Sequence, residues 1–274
     1  MSTDATSTTG YATILVDRAP EGALVVTLNR PDVLNSFNEA MRADFARLWA
    51  AVRTDRSVRS VVLQAAGERA FSTGLDVTER MSDEESPWLD RAAPFAERED
   101  PGHELSPKRN AVWKPVVAAV HGMCAGGAFY WIADCDIVIC EPGATFFDPH
   151  VSYGMVAALE PVALSYRMNF SDVARMALLG LSERMSAERA LATGLVTEVV
   201  PRDELRARAL QLATAMARSP AAAIEGTVKA LWQSRDLGRT QALATALMYT
   251  QVGNPIAADG LDRSAARPKE WWTR

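Results

Sequence analysis

The 274-residue chain is short of several things, and each shortage removes a class of explanation. It holds three cysteines and three histidines. Cys124, Cys135 and Cys140 fall in one apolar stretch without paired zinc-type spacing. They are expected to be buried small hydrophobes in a reducing compartment, and no metal site is expected. Basic residues number 29 against 34 acidic ones, a net charge of −5, and they form no block. Nucleic acid and anionic membrane are therefore excluded as expected partners. No apolar run reaches the ~20 residues of a membrane span. Residues 1–10 are Ser/Thr-rich and lack the apolar centre of a signal peptide, so they are expected to be a disordered tail. The expected location is cytoplasmic.

What is present is ordinary globular material, 48% apolar and 23% charged. Ala12 to Asp17 and Ala23 to Leu28 are β-rich runs joined by Ala-Pro-Glu-Gly, a hairpin-like pair. Asn38 is placed as an N-cap, with Met41, Phe45, Leu48, Trp49 and Val52 on one helical face. Val58 to Ala65 is the next strand. Residues 79–110 are acidic and broken by four prolines, including Pro87 and Pro94, with Trp88 and Phe95 isolated among them. This segment is either a movable wall over a pocket or a surface insertion. Strands follow at Val116 to Val120, Asp136 to Cys140 and Thr145 to Phe147, with Asp148 to Val156 irregular. Helices are expected from Ser171-Asp172 to Gly180 and from Ser186 to Gly194, then a strand from Leu195 to Val200. Beyond Pro201 the pattern is helical, with Leu205, Ala209, Leu212, Ala213 and Met216 forming one stripe and Ile224, Val228, Leu231 and Trp232 another. Ser219-Pro220 and Asn254-Pro255 each look like an N-cap with proline at the first helical position. The change of character divides the chain into a tail (1–10), a mixed core (11–200) and a helical region (201–274).

Two glycine turns draw the eye. Phe71 to Asp76 and Gly122 to Gly127 each follow an apolar strand, and the second is expected to open a helix with Gly126 and Gly127 in its first turn. If the strands are neighbours, the N–H groups of Leu75 and Gly127 converge on one oxygen, as an anion or oxyanion site requires. Spacing alone points more to glycines that only relieve sterics. Neither turn spells a dinucleotide or P-loop motif.

Four stretches carry a resemblance: ALVVTLNRPDVLNSF (23–37), AFSTGLD (70–76), KPVVAAVHGMCAGGAFYWIADCDI (114–137) and SAERALATGLVTEVVP (186–201). Together they resemble the enoyl-CoA hydratase/isomerase, or crotonase, superfamily over about residues 12–201. The resemblance implies an α/β fold, a crotonase-type spiral of repeated ββα units with a C-terminal helical trimerisation region. It implies a homotrimer or a hexamer (a dimer of trimers). The partner is an acyl-CoA substrate, with coenzyme A part of that substrate and no separate cofactor. Leu75 and Gly127 become the backbone donors of an oxyanion hole, and Gly74, Asp76, Val77, Thr78 and Gly126 line the substrate site. Asp76 in the family mostly supports the turn.

This chain departs from the hydratase pattern where hydratases carry two glutamates. The first position is Tyr130; the second, in the run Phe147-Asp148-Pro149-His150, is His150. An imidazole titrating near 6.5 carries protons near neutrality. His150 is therefore the expected proton-transfer residue, oriented by Asp148 or Tyr153, with Tyr130 assisting. Glu160 is a further candidate, ten residues on; the family's dehalogenase-type aspartate would fall near Ala158. His103 and His121 receive no role. For the coenzyme phosphates the family's often-basic position is Val33 here, and an expected aromatic in the tail is Ser264, which leaves Arg30, Arg263, Arg267 and Lys269 as substitutes. The expected activity is that of a lyase or isomerase working through a thioester enolate. A silent acyl-CoA-binding protein and a thioester hydrolase or decarboxylase are the alternatives.

Overall fold

The structure is a computed structural model, and it describes residues 10–78, 100–259, 261, 272 and 273. Residues 1–9 of the expected tail (1–10), Trp88, Phe95 and the candidates Arg263, Arg267 and Lys269 lie outside the described residues.

A hairpin opens the chain: β1 (Ile14–Arg18) runs antiparallel to β2 (Ala23–Leu28). From β2 onward the larger sheet is parallel, through β3 (Ser60–Ala65), β5 (Val116–Val120), β7 (Ile137–Cys140) and β10 (Glu198–Val199). Strands β2, β3, β5 and β7 are largely buried on both faces, as their Val/Ile/Leu/Ala-rich content demands, whereas the two residues of β10 are half-buried. Val61, Leu63, Val116, Ala118 and Val138 face one cluster, whereas Val62, Val117, Ala119 and Ile139 face a second.

A smaller sheet holds three short parallel strands, β4 (Ala70–Ser72), β6 (Met123–Ala125) and β8 (Thr145–Phe147), with antiparallel β9 (Met185–Ser186) at its edge. Each follows directly on β3, β5 or β7. The chain therefore passes from the large sheet to the small one in three successive β-β units. Phe37 adds a fourth contact to this layer through an isolated bridge to Leu75.

Helix α1 (Glu39–Thr54) starts where expected: the Asn38 side chain accepts from the Met41 N–H at 3.0 Å. Met41, Phe45, Leu48, Trp49 and Val52 are all buried. The part of the acidic segment that is described is not loose. Helix α2 (Gly102–Leu105) packs on α1, the Trp49 indole N–H donates to the Leu105 carbonyl at 2.9 Å, and Arg42 pairs with Glu104. Helix α3 (Phe129–Ile132) carries Trp131, whose ring meets Phe37, Phe45 and Phe71. Three such contacts at about 0.5–1.5 kcal/mol each hold this short helix, which backbone bonds alone would not.

Several boundaries differ from the sequence-based expectation. The turn at Gly122 leads into β6, not directly into a helix, and Gly126–Ala128 form a 3-10 turn before α3. Helix α4 (Leu159–Ser165) follows the 3-10 turn His150–Tyr153. Helix α5 (Phe170–Leu179) starts one residue before the expected Ser171 and is capped by Asn169, whose side chain accepts from the Asp172 N–H and donates to the Asp172 carboxylate. Helix α6 (Ala187–Thr193) has Ser186 as its N-cap and left-handed Gly194 as its stop, as expected. The strand expected over Leu195 to Val200 shrinks to β10, because only Glu198 and Val199 pair with β7.

The boundary at residue 200 also moves. Helix α7 (Leu205–Ala217) lays Leu205, Ala209 and Ala213 against Val62, Val117 and Ile139 of the large sheet, so the first compact unit runs to Ala217. The second unit, residues 218–274, holds helices α8 (Ala221–Gln233) and α9 (Arg239–Ala258), which pack on each other. Pro220, not Ser219, occupies the cap of α8. Pro255 lies inside α9 instead of starting a helix; in the last turn a proline forgoes one backbone bond without ending the helix.

Candidate active site

The parallel register of the small sheet brings the ends of β4, β6 and β8 together, because Ser72 pairs with Cys124 and Ala125 with Phe147. Past these ends lie Gly74-Leu75, Gly126-Gly127 and Asp148-Pro149-His150. Three segments distant in sequence thus meet at one sheet edge.

The first two are in contact. A Cβ placed on Gly74 would stand 2.6 Å from the Gly127 nitrogen and 3.0 Å from the Ala125 carbonyl, and Gly74 has φ +85. Only glycine meets both requirements at little cost. A Cβ on Gly127 would stand 2.5 Å from the Phe37 ring. The bridge to Phe37 engages the Gly74 carbonyl, which accepts at 2.7 Å, and the Asp76 N–H, which donates at 2.8 Å. Along an extended chain successive groups point to opposite sides, so the Leu75 N–H faces away from Phe37. Gly127 lies in the first turn of a helix, where N–H groups have no intrahelical acceptor. Among the described residues neither N–H donates a hydrogen bond. The helical stretch from Gly126 to Ile132 is short, so these two individual donors, rather than a macrodipole, define the site.

The third segment supplies titratable groups. His150 lies across Gly126, where a Cβ would stand 3.7 Å from its Cε1 atom. Its Nδ1 is 2.5 Å from Asp148 Oδ1, and its Nε2 is 3.7 Å from Glu160 Oε1 on α4. Asp148 and Glu160 are buried, and His150 is partly exposed. The hydrogen bond with Asp148 raises the His150 pKa above its ordinary value, outweighing burial, and Glu160 adds to the effect. Burial raises Glu160, against the pull of His150 and of the Tyr130 hydroxyl. Tyr130, buried on α3, is pushed up by burial and by the Glu160 carboxylate it faces. Behind it, a Cβ on Gly102 would stand 2.7 Å from the Arg109 guanidinium and 3.0 Å from the Tyr130 ring, and Arg109 pairs with Asp100.

The expected site residues therefore divide. Gly74, Leu75, Gly126, Gly127, Tyr130 and His150 come together, and Asp148 orients His150 as anticipated. Tyr153 does not; it is 64% exposed and makes no bond to His150. Asp76 is buried in the turn, with its carboxylate 2.9 Å from Arg30 and 2.6 Å from the Thr78 hydroxyl. Burial raises its pKa, but Thr78 and Arg30 together hold it below the ordinary value. Arg30 is thereby engaged inside the protein, donating also to the Ser36 carbonyl at 2.7 Å, which argues against a phosphate role. Val77 and Thr78 are exposed beside this turn. Among the described residues no group of acidic, cysteine and histidine side chains is arranged to hold a metal ion.

Glu160 and Phe37 are the contributors that sequence reasoning undervalued. Phe37 sits in a quoted motif without a role; here its ring covers Gly127 and its backbone fixes the direction of Leu75.

The comparisons agree with this architecture. A family model described as Enoyl-CoA hydratase/isomerase matches residues 18–260. The chain is 34% identical over 238 residues to the (E)-benzylidenesuccinyl-CoA hydratase of Thauera aromatica, covering 87% of this chain and 88% of that one. It is 31% identical over 206 residues to the 1,2-epoxyphenylacetyl-CoA isomerase of Escherichia coli K12, covering 75% and 77%. A crystal structure of an enoyl-CoA hydratase/isomerase from Mycobacterium paratuberculosis superimposes with a TM-score of 0.77 at 34% identity, covering 89% and 90%.

Proposed function

Since the chain belongs to the enoyl-CoA hydratase/isomerase family, we propose that it processes an acyl-CoA by stabilising a thioester enolate between the Leu75 and Gly127 N–H groups. The observation that carries this is the contact of the two glycine turns, with two undonated N–H groups beside a partly exposed histidine. As a Cα–H bond breaks or a nucleophile adds at Cβ, the electron pair moves onto the thioester oxygen, and two preset donors stabilise it there. Each such donor contributes on the order of 3–4 kcal/mol.

His150 is the proton carrier. Asp148 accepts from its Nδ1–H, which leaves Nε2 as the basic nitrogen of the neutral ring. Tyr130 assists as a hydrogen-bond anchor, since its raised pKa keeps it un-ionised near neutrality. By resemblance these two residues stand where hydratases carry glutamates, which favours lyase or isomerase chemistry by a route other than two-glutamate water activation. Gly74 and Gly126 shape the floor, and Val77 and Thr78 flank the entrance.

The assembly proposed is a homotrimer or a dimer of trimers. Supporting it, α9 exposes Leu243, Leu247, Met248, Val252 and Ile256, more apolar surface than a solvated helix keeps. The three cysteines are free and buried, in keeping with a cytoplasmic setting, and among the described residues no helix is long and apolar enough to cross a membrane.

The test follows the absorbance of conjugated enoyl-CoA thioesters with wild type and His150→Ala, together with calorimetric titration of CoA. Turnover reduced roughly 10²-fold or more in the variant, at unchanged CoA binding, is the expected result. Binding without turnover across a broad acyl-CoA panel would sink the enzyme reading. Absence of CoA binding would overturn the whole proposal.

A further inference from the structure

The mechanism above leaves a buried carboxylate beside His150 without a task. Glu160 is 5% exposed, on the first turn of α4, and its carboxylate is bracketed by the His150 ring and the Tyr130 hydroxyl. A carboxylate removed from water persists when neighbours share or neutralise its charge. Here the only cationic neighbour it meets within 4 Å among the described residues is the imidazole. The imidazole is itself held from the other side by Asp148. The His150 ring therefore lies between two buried carboxylates on different elements, one at each nitrogen.

We propose that Glu160 is the positioning residue of the His150 base: its carboxylate, 3.7 Å from Nε2, holds the ring by charge and stabilises the imidazolium that forms when Nε2 takes a proton. The inference deepens the function proposed above and rests on it for the role of His150. Before the reaction the ring is neutral, with its proton on Nδ1 toward Asp148 and Nε2 free, and Glu160 is ionised. When His150 takes a proton from substrate carbon, the C–H pair stays with the substrate as enolate and the proton goes to Nε2, where the Glu160 carboxylate stabilises the imidazolium. Returning that proton to another carbon restores the starting state, with no other acid or base consumed. Such a pair suits a proton shift along the acyl chain, which needs one group to accept and then give back. Tyr130 faces Glu160, and burial and then the proximity of the two raise the Tyr130 pKa.

The groups facing the pair are Asp148 on Nδ1, Glu160 on Nε2, and Tyr130 behind Glu160, with Asp100 and Arg109 reaching Tyr130. Both carboxylates favour imidazolium, so removal of one lowers the His150 midpoint. The test is a 15N/1H NMR titration of the three imidazoles in wild type and Glu160→Gln, without substrate. The His150 midpoint is expected to fall by roughly one pH unit in the variant. The wild-type signal should show two inflections, the second reporting Glu160. With an acyl-CoA that turns over, the acidic limb of the kcat/KM profile should move by the same amount, while KM stays within about twofold. A merely structural role would move none of these. An unshifted His150 midpoint in Glu160→Gln overturns the proposal. Should that variant not fold, a single-step wild-type titration overturns it equally. Wild-type protein that binds no acyl-CoA would overturn the parent function and still leave the NMR titration to judge the pair.

Discussion

Replacing Gly74 by alanine tests the core of the site with one methyl group. The added Cβ would stand 2.6 Å from the Gly127 nitrogen and 3.3 Å from the Gly127 Cα, both backbone atoms that cannot rotate away. The left-handed backbone at φ +85 costs an alanine about 1–2 kcal/mol. Relieving the overlap adds about 1–3 kcal/mol. That total is below the roughly 5–15 kcal/mol of a typical folded domain, so the variant is expected to fold with a lower Tm. Function should suffer more than stability. Moving Gly127 away tilts its N–H from the oxygen that the proposed function has it meet. Loss of one hole donor costs on the order of 3–4 kcal/mol, or about 10²–10³ in kcat. The assay is steady-state turnover of an enoyl-CoA thioester, with calorimetric binding of free CoA, which has no acyl carbonyl, as the internal control. Gly143→Ala is the matched substitution, since its Cβ would meet only the Glu141 side chain at 3.9 Å. A folded Gly74→Ala protein with turnover within about fivefold of wild type would refute the two-donor reasoning.

Two further expectations concern stability. The Lys114 ammonium is buried and donates to the Val52 carbonyl at 2.5 Å and to that of Asp55, closing the C-terminal end of α1. Lys114→Met strands those acceptors and is expected to lower unfolding free energy by roughly 1–3 kcal/mol in urea titrations; an unchanged midpoint would contradict it. His121 is buried beside Arg202 and Arg206, and burial first, then these charges, pushes its pKa down to about 4. Between the ordinary 6.5 and about 4 the unfolded chain binds a proton that the folded chain does not, so stability is full above 6.5 and falls as pH drops through this window. At about 1.4 kcal/mol per pH unit the loss reaches roughly 3 kcal/mol. The pH slope of urea midpoints should flatten in His121→Asn; parallel slopes for the two proteins would exclude His121 as the cause.

Much of the large sheet and of α1 was legible because long strands and amphipathic helices repeat their signal over many residues. Val116 to Val120 and the Asn38 cap needed nothing beyond apolar runs and a capping side chain. Strand β6 was not legible: three residues between glycines are too few for periodicity to register. The end of the core at Ala217 was hidden for a different reason. Helix α7 reads like α8 in sequence, and only its packing on Val62, Val117 and Ile139 assigns it to the first unit. In the site, the glycine turns were visible but their convergence was conditional on strand adjacency, which the Ser72–Cys124 register now supplies. Glu160 was the hardest, since its closeness to His150 depends on how α4 folds back after an irregular stretch.

The architecture also bears on why the chemistry sits where it does. Each passage from the large sheet to the small one ends in a few residues beyond a three-residue strand, and the parallel register aligns those ends at one level. The unit after β3 places the Leu75 N–H, the unit after β5 the Gly127 N–H, and the unit after β7 the Asp148–His150 pair. The two backbone donors come from strand ends whose positions are set by sheet pairing and glycine contact, so side-chain substitution leaves them in place. The proposed proton carrier comes from the third strand end and its proposed positioning carboxylate from α4, where side chains are free to differ. In the proposed function, a carbonyl held by the first two units faces whatever acid or base the third presents. In this chain that is an imidazole between two buried carboxylates, so exchange at His150 and Glu160 should change the reaction while leaving enolate stabilisation intact.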